Sequence, residues 1–177
     1  MERAKDVLEF WFETLEPDDW FKKSDTVDRL IKKRFETTYR RAFAGESPEW
    51  RETPEGRLAQ VIVLDQFPRN IYRGTAAAYA ADAFALAVAQ DAVRIGDDRE
   101  LEDARRAFLY MPYMHSESRL VHERAMELFA DLPENLEFEV RHKAVIDRFG
   151  RYPHRNEALG RTSTGDERLW LEENEGF

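Results

Sequence analysis

The sequence predicts an all-α fold of about seven to nine helices, on three observations. Apolar residues recur at helical spacing in one segment after another. No run shows the strict alternation of a half-buried strand, and the one β-branched cluster, Val61-Ile62-Val63, lies inside a helix-length segment. The breaks between periodic segments are short and carry cap or stop residues, the pattern of antiparallel helix pairs.

Each element follows from its own residues. Between 24 and 45, Val27, Leu30, Ile31, Phe35, Tyr39, Ala42 and Phe43 share a face, Ser24 caps the start and Gly45 suits the left-handed position after the end. Thr53 caps a second helix with Pro54 at its first position, running to about Gln66 before a corner at Pro68. Thr75 caps an alanine-rich helix that closes at Gly96. Residues 99 to 111 place Leu101, Ala104, Phe108 and Met111 together, and Pro112 stops them. Ser116 to Asp131 groups Val121, Ala125, Leu128 and Phe129. Pro133 to Phe149 is a further helix ended by Gly150, and Pro153 to Leu159 a short turn. Thr164 and Glu167 form a capping box for the last helix, which leads into an acidic end.

The chain of 177 residues suits one domain, 1–177, large enough for a core of its own. It has no cysteine, which excludes disulfides, thiolate metal sites and cysteine nucleophiles. The opening MERAKDVLEFWFE reads as structure rather than as a signal peptide. The weakly polar run 76–90 carries Asp82 and falls short of the roughly 20 apolar residues that span a bilayer. A soluble, cytoplasmic protein without a membrane partner is expected. The formal charge of −9 argues against nucleic acid as a partner. The charge is uneven, since Arg148 to Arg161 holds four arginines and His154 against Glu157 alone.

Three clusters carry candidate chemistry. Asp65 prolongs the apolar stripe of Leu58, Val61 and Ile62, where a carboxylate needs a partner; Arg69 and Arg73 are the nearest cations. Its two uses are a carboxylate that holds a functional group and an ion pair that fixes the turn at Pro68. In FLYMPYMHSES, residues 108 to 118, His115 and Glu117 flank a helix start and suit a general-base pair, or a capping arrangement with Ser116. His115, Glu117, His122 and Glu123 lie close in sequence, but without the spacing of a helical ligand pair, so neither a metal nor another cofactor is expected. The third cluster pairs FGRYPHRN, residues 149 to 156, with its echo LDQFPRN, residues 64 to 70. Each reads as a helix-breaking corner of aromatic, proline, arginine and asparagine. Arg69, Asn70 and Arg73 beside one corner and His154, Arg155 and Asn156 beside the other form an anion cradle if they face each other, or pin helix ends through carboxylates if they do not.

LDQFPRNIYRGTAAAYAADAFAL, FLYMPYMHSES, FGRYPHRNEALGRTST and the N-terminal VLEFWF resemble the bacterial domain-of-unknown-function family DUF924, in consistent order over practically the whole chain. The resemblance implies a tetratricopeptide-repeat-like α/α superhelix, though no strict repeat of 30–45 residues is visible in the sequence. It implies no activity. It marks Asp65, Gln66, Pro68, Arg69, Asn70, Arg73, His115, Glu117, Pro153, His154, Arg155 and Asn156 as motif positions. Three functions remain open on the residues. The first is a domain that binds a small anionic molecule or an acidic peptide end through Arg69, Arg73, His154 and Arg155. The second is a hydrolase or transferase with His115 as base, oriented by Asp65 or Glu117. The third is a protein-binding scaffold whose motifs are purely architectural. The sequence sets no oligomeric state.

Overall fold

The computed structural model describes residues 1–174; the last three residues of the acidic end lie outside the described residues. It is helical throughout, with no strand among the described residues. Helix α1 (Ala4–Glu9) widens into a π-helical turn, Phe10–Thr14, which turns Phe10 and Trp11 inward. A short α2 (Pro17–Phe21) brings Trp20 back, and its indole N–H donates to the Trp11 carbonyl at 2.8 Å. Helix α3 (Asp25–Phe43) begins where the Ser24 hydroxyl accepts the Val27 N–H at 3.3 Å. It buries Val27, Ile31, Phe35, Tyr39 and Ala42, whereas Leu30 and Phe43 lie at the edge of that face and stay exposed.

The centre of the fold is a continuous helical rod made of α4 (Pro54–Val61), a π turn (Ile62–Gln66) and α5 (Phe67–Ile71). Every residue from Leu58 to Pro68 is buried. α4 packs against α1 and the two helices described next, and α5 packs against α3. The expected end near Gln66 and corner at Pro68 do not occur. The Phe67 N–H donates to the Ile62 carbonyl, five residues back, so the widened turn absorbs an extra residue. Pro68 then falls in the first turn of the new α-segment, where a missing N–H costs least.

Helix α6 (Asp82–Ile95) starts later than the sequence suggests. Residues Ala76–Tyr79 form a 3-10 turn, and the Thr75 hydroxyl donates to the Tyr72 carbonyl at 2.7 Å instead of capping a helix. Gly96 ends α6 with φ of 89°, as its position after the last helical residue requires. Helix α7 (Asp103–Met114) runs through Pro112 rather than stopping at it. The proline removes one hydrogen bond near the helix end, where the backbone resumes with His115 N–H donating to Met111 O at 2.9 Å, and its last eight residues are all buried. Helix α8 starts at Arg119, not Ser116, and ends at Leu128. α9 (Pro133–Phe149) and α10 (Gly165–Glu173) follow, with the Thr164–Glu167 capping box at the start of α10. α6, α7, α8 and α9 pack each against the next in chain order.

A wholly buried pair, His122 and Glu139, joins α8 to α9. The carboxyl lies 2.6 Å from Nδ1, and Nε2 faces the Ser116 carbonyl at 2.8 Å. A carbonyl only accepts, so Nε2 carries a hydrogen. Burial raises the Glu139 pKa above the ordinary range despite the bond to His122.

Gly56 marks the tightest backbone approach. A Cβ built there stands 2.1 Å from the Trp50 carbonyl oxygen, whereas one at Gly165 meets nothing closer than 4.0 Å. Gly56→Ala is therefore expected to destabilise the fold by about 2–3 kcal/mol. Gly165→Ala, at the start of α10, is expected to be neutral or to stabilise by up to about 1 kcal/mol. Urea denaturation of both variants checks the pair; equal effects would show that the Trp50–Gly56 contact is not tight.

Candidate functional site

Asp65 sits on the π turn of the central rod and is completely buried. His115, just past the end of α7, approaches it with Nδ1 at 2.8 and 2.9 Å from the two carboxylate oxygens. Gln66 donates its side-chain amide to the same carboxylate, and Arg69, one turn along, stands 3.3 Å away. Burial alone would raise the Asp65 pKa; Arg69, then His115, more than reverse this and hold it below the ordinary carboxylate range. Asp65 is thus an acceptor only, so the hydrogen on the near side of His115 is on Nδ1. Nε2 makes no hydrogen bond among the described residues, and His115 lines a cavity of about 1050 Å³.

The arginines of the two echoed motifs meet at that cavity. Arg69 pairs with Asp82 through both terminal nitrogens, at 3.1 and 3.2 Å. Arg155 reaches the same carboxylate at 3.3 Å. Both guanidiniums lie over the ring of Tyr79, at 5.7 and 4.8 Å from its centroid, and Arg155 also stacks 4.5 Å over Tyr152. The Arg155 side chain is only 7% exposed. Burial, and then the neighbouring Arg69 charge, lowers its pKa from the usual arginine value. Two close cations share one carboxylate here, and of the Arg155 donors only one terminal nitrogen has an acceptor among the described residues.

Tyr152, His142 and His154 complete this end. Tyr152 is fully buried, and its hydroxyl donates to the Met114 carbonyl at 2.5 Å. Its ring centroid lies 5.8 Å from that of His142 and 5.5 Å from that of His154. His142 donates through Nδ1 to the Phe138 carbonyl at 2.8 Å, and its ring lies 6.4 Å from that of His115. Burial pushes the His142 pKa down to about 3; burial, then Arg155, pushes that of His154 down to about 4.

The remaining motif residues go elsewhere. Arg73 forms a two-point pair with Asp28 of α3, at 2.7 and 2.8 Å, and Asn70 donates to the same carboxylate at 2.8 Å. Both border the cavity, with these donors turned to α3. Asn156 is buried away from the cavity and donates to Ser163 and Glu167. Glu117 is not the partner of His115. It accepts from Arg161 at 2.7 and 3.0 Å and from the Tyr152 N–H at 2.8 Å, which straps the loop after α9 to the α7–α8 junction. The two motifs are also not two similar corners. FPRN lies inside a continuous helix, and Pro153 opens only a three-residue 3-10 turn, so no helix start points at an anion there. Among the described residues no three histidines or carboxylates are grouped as a metal site would need.

Sequence reasoning missed Tyr79, Asp82, His142 and Tyr152. A signal existed for one wall: on α9, Phe138, Arg141, His142, Val145, Arg148 and Phe149 recur at helical spacing and all line the cavity. The wall reads as an ordinary core stripe until its arginines are noticed.

The model of a family described as "Bacterial protein of unknown function (DUF924)" matches residues 7–175. No curated protein matches the chain. Among solved structures, a protein of unknown function from Agrobacterium tumefaciens is similar, with 39% identity, 97% of each chain covered and a TM-score of 0.92.

His142 and His154 predict an acid-sensitive fold. Their folded pKa values lie below the ordinary 6.5, so the unfolded chain takes up protons first as pH falls. Their contribution is complete above about pH 6.5 and is lost as pH falls towards about 4 and then 3. Each is expected to remove on the order of 3–5 kcal/mol over that window. Below it, protonation of Asp65 acts in the same direction. Urea denaturation at a series of pH values checks this: His154→Gln should flatten the slope between about pH 6.5 and 4. An unchanged slope would show that His154 does not titrate with folding.

Proposed function

The chain belongs to the DUF924 family of bacterial proteins of unknown function, and we propose that it binds a small organic anion in the cavity between α9 and the end of the central rod. The observation that carries this reading is the meeting of Arg69 and Arg155, which come from motifs far apart in sequence, over one tyrosine ring and one shared carboxylate. A guanidinium with open donors suits a carboxylate or a phosphate. His115 adds a hydrogen-bonding Nε2 to the same end of the cavity. The partner is a small molecule rather than nucleic acid, since the chain as a whole carries −9.

A second reading rests on one further geometry. A carboxylate that holds Nδ1–H leaves Nε2 as a basic atom, the arrangement of a general base for water. No side-chain nucleophile accompanies it, so the reaction class would be direct hydrolysis of an ester, amide or phosphate held by the arginines.

A thermal-shift panel of carboxylated and phosphorylated metabolites tests the first reading. Several members are expected to raise the melting temperature of the parent protein. Arg155→Gln should weaken the best of them by about 10- to 100-fold, the range of a hydrogen bond to a charged group. A panel without effect on the parent removes this function. A hydrolytic activity that survives His115→Gln removes the second reading.

A further inference from the structure

Beyond the charged end, the cavity is far larger than an anionic group requires. Its volume of about 1050 Å³ exceeds the usual range for whole small-molecule ligands, roughly 300–1000 Å³. Its remaining lining mixes charged and apolar side chains, and the apolar part has a direction. From His142, which faces His115, the lining face of α9 continues through Val145 to Phe149. There the Phe149 ring meets Trp170 of α10, with centroids 5.9 Å apart. Val145 is buried, and Phe149 and Trp170 are half-buried. Seven residues of helix separate His142 from Phe149, which makes this track about 10 Å long. That is the span of roughly eight extended carbons, allowing for the zigzag of a C–C chain.

The charges beside His115 and Arg155 select the head group. Arg69 and Arg155 stand beside two carboxylates, Asp65 and Asp82. These charges already balance, so a dianion would add two uncompensated negative charges among buried groups and a single carboxylate only one.

We infer that the ligand is an unbranched aliphatic monocarboxylate of medium chain length, with its carboxylate at Arg155 and His115 and its tail along Val145 to the Phe149–Trp170 pair. This rests on the anion-binding reading and adds the substrate class to it. The tail excludes water from the charged end, which strengthens the contacts of the head group there.

Isothermal titration with butyrate, hexanoate, octanoate and dodecanoate, each below its micellar concentration, tests the inference. The expected result is about three- to fourfold tighter binding per added methylene up to octanoate, with little gain beyond. Trp170→Ala should weaken octanoate about tenfold and leave butyrate unchanged, while Arg155→Gln should weaken both. Equal binding of all four acids, abolished by Arg155→Gln, would overturn the aliphatic tail and leave the anion-binding reading standing. Chain-length dependence that survives both substitutions would overturn the inference, since the acids would then bind elsewhere. No binding of any acid, together with binding of inorganic phosphate, would also overturn it. No binding of either would remove the anion-binding reading itself.

Discussion

A carboxylate in the middle of the most buried helix sets the terms for the rest of the molecule. Asp65 is wholly enclosed, and an isolated charge there would be prohibitive. Its compensation comes from Gln66 beside it, Arg69 one turn on and His115 at the end of another helix. Arg69 in turn needs Asp82, and Asp82 draws in Arg155 from near the C-terminal end. The alternation Asp65–Arg69–Asp82–Arg155 therefore joins three parts of the chain through one run of charges. Removing one member of such a network leaves an uncompensated partner, at about 3–5 kcal/mol. The π turn belongs to the same arrangement, because it lets the rod continue past Asp65 and present Arg69 to α6.

Around this run, the motif residues divide into two groups. Asn70 and Arg73 fasten α5 to α3 through Asp28. Glu117 and Arg161 hold the loop that carries Tyr152, and Asn156 and Glu167 hold the entry to α10. These contacts fasten one part of the fold to another. His115 and Arg155 line the cavity, and each keeps hydrogen-bonding capacity that no described residue uses. Side chains held this rigidly, with capacity to spare, are what a binding site requires.

The fold class was legible because it depends on local signals. Ser24, Thr53, Gly96, Gly150 and the Thr164–Glu167 box act where the sequence places them. Two of the errors share one cause. Pro68 and Pro112 read as helix stops, yet a π turn before one and a nearby helix end after the other let tertiary burial retain them. A π turn leaves no mark in hydrophobic periodicity. The pairing of Asp65 with His115 was one of two alternatives, and only the packing of α7 on the central rod decides between Asp65 and Glu117. Asp82 and Tyr79 gave no sign, because their importance comes from bringing Arg69 and Arg155 together across 86 positions of sequence. The resemblance to DUF924 named the family but carried no function with it.

The central claim is that Asp65 fixes His115 with Nδ1 protonated and a bare Nε2 turned to the cavity. The imidazole tautomer reports this directly. Long-range proton–nitrogen correlation on the folded protein at about pH 8, above the ordinary histidine range, distinguishes the two neutral forms. The account predicts the Nδ1–H tautomer for His115, and its loss in Asp65→Ala. An Nε2–H tautomer in the native protein would contradict it, because Asp65 would then not be holding the ring and Nε2 would not be free to meet a ligand as an acceptor.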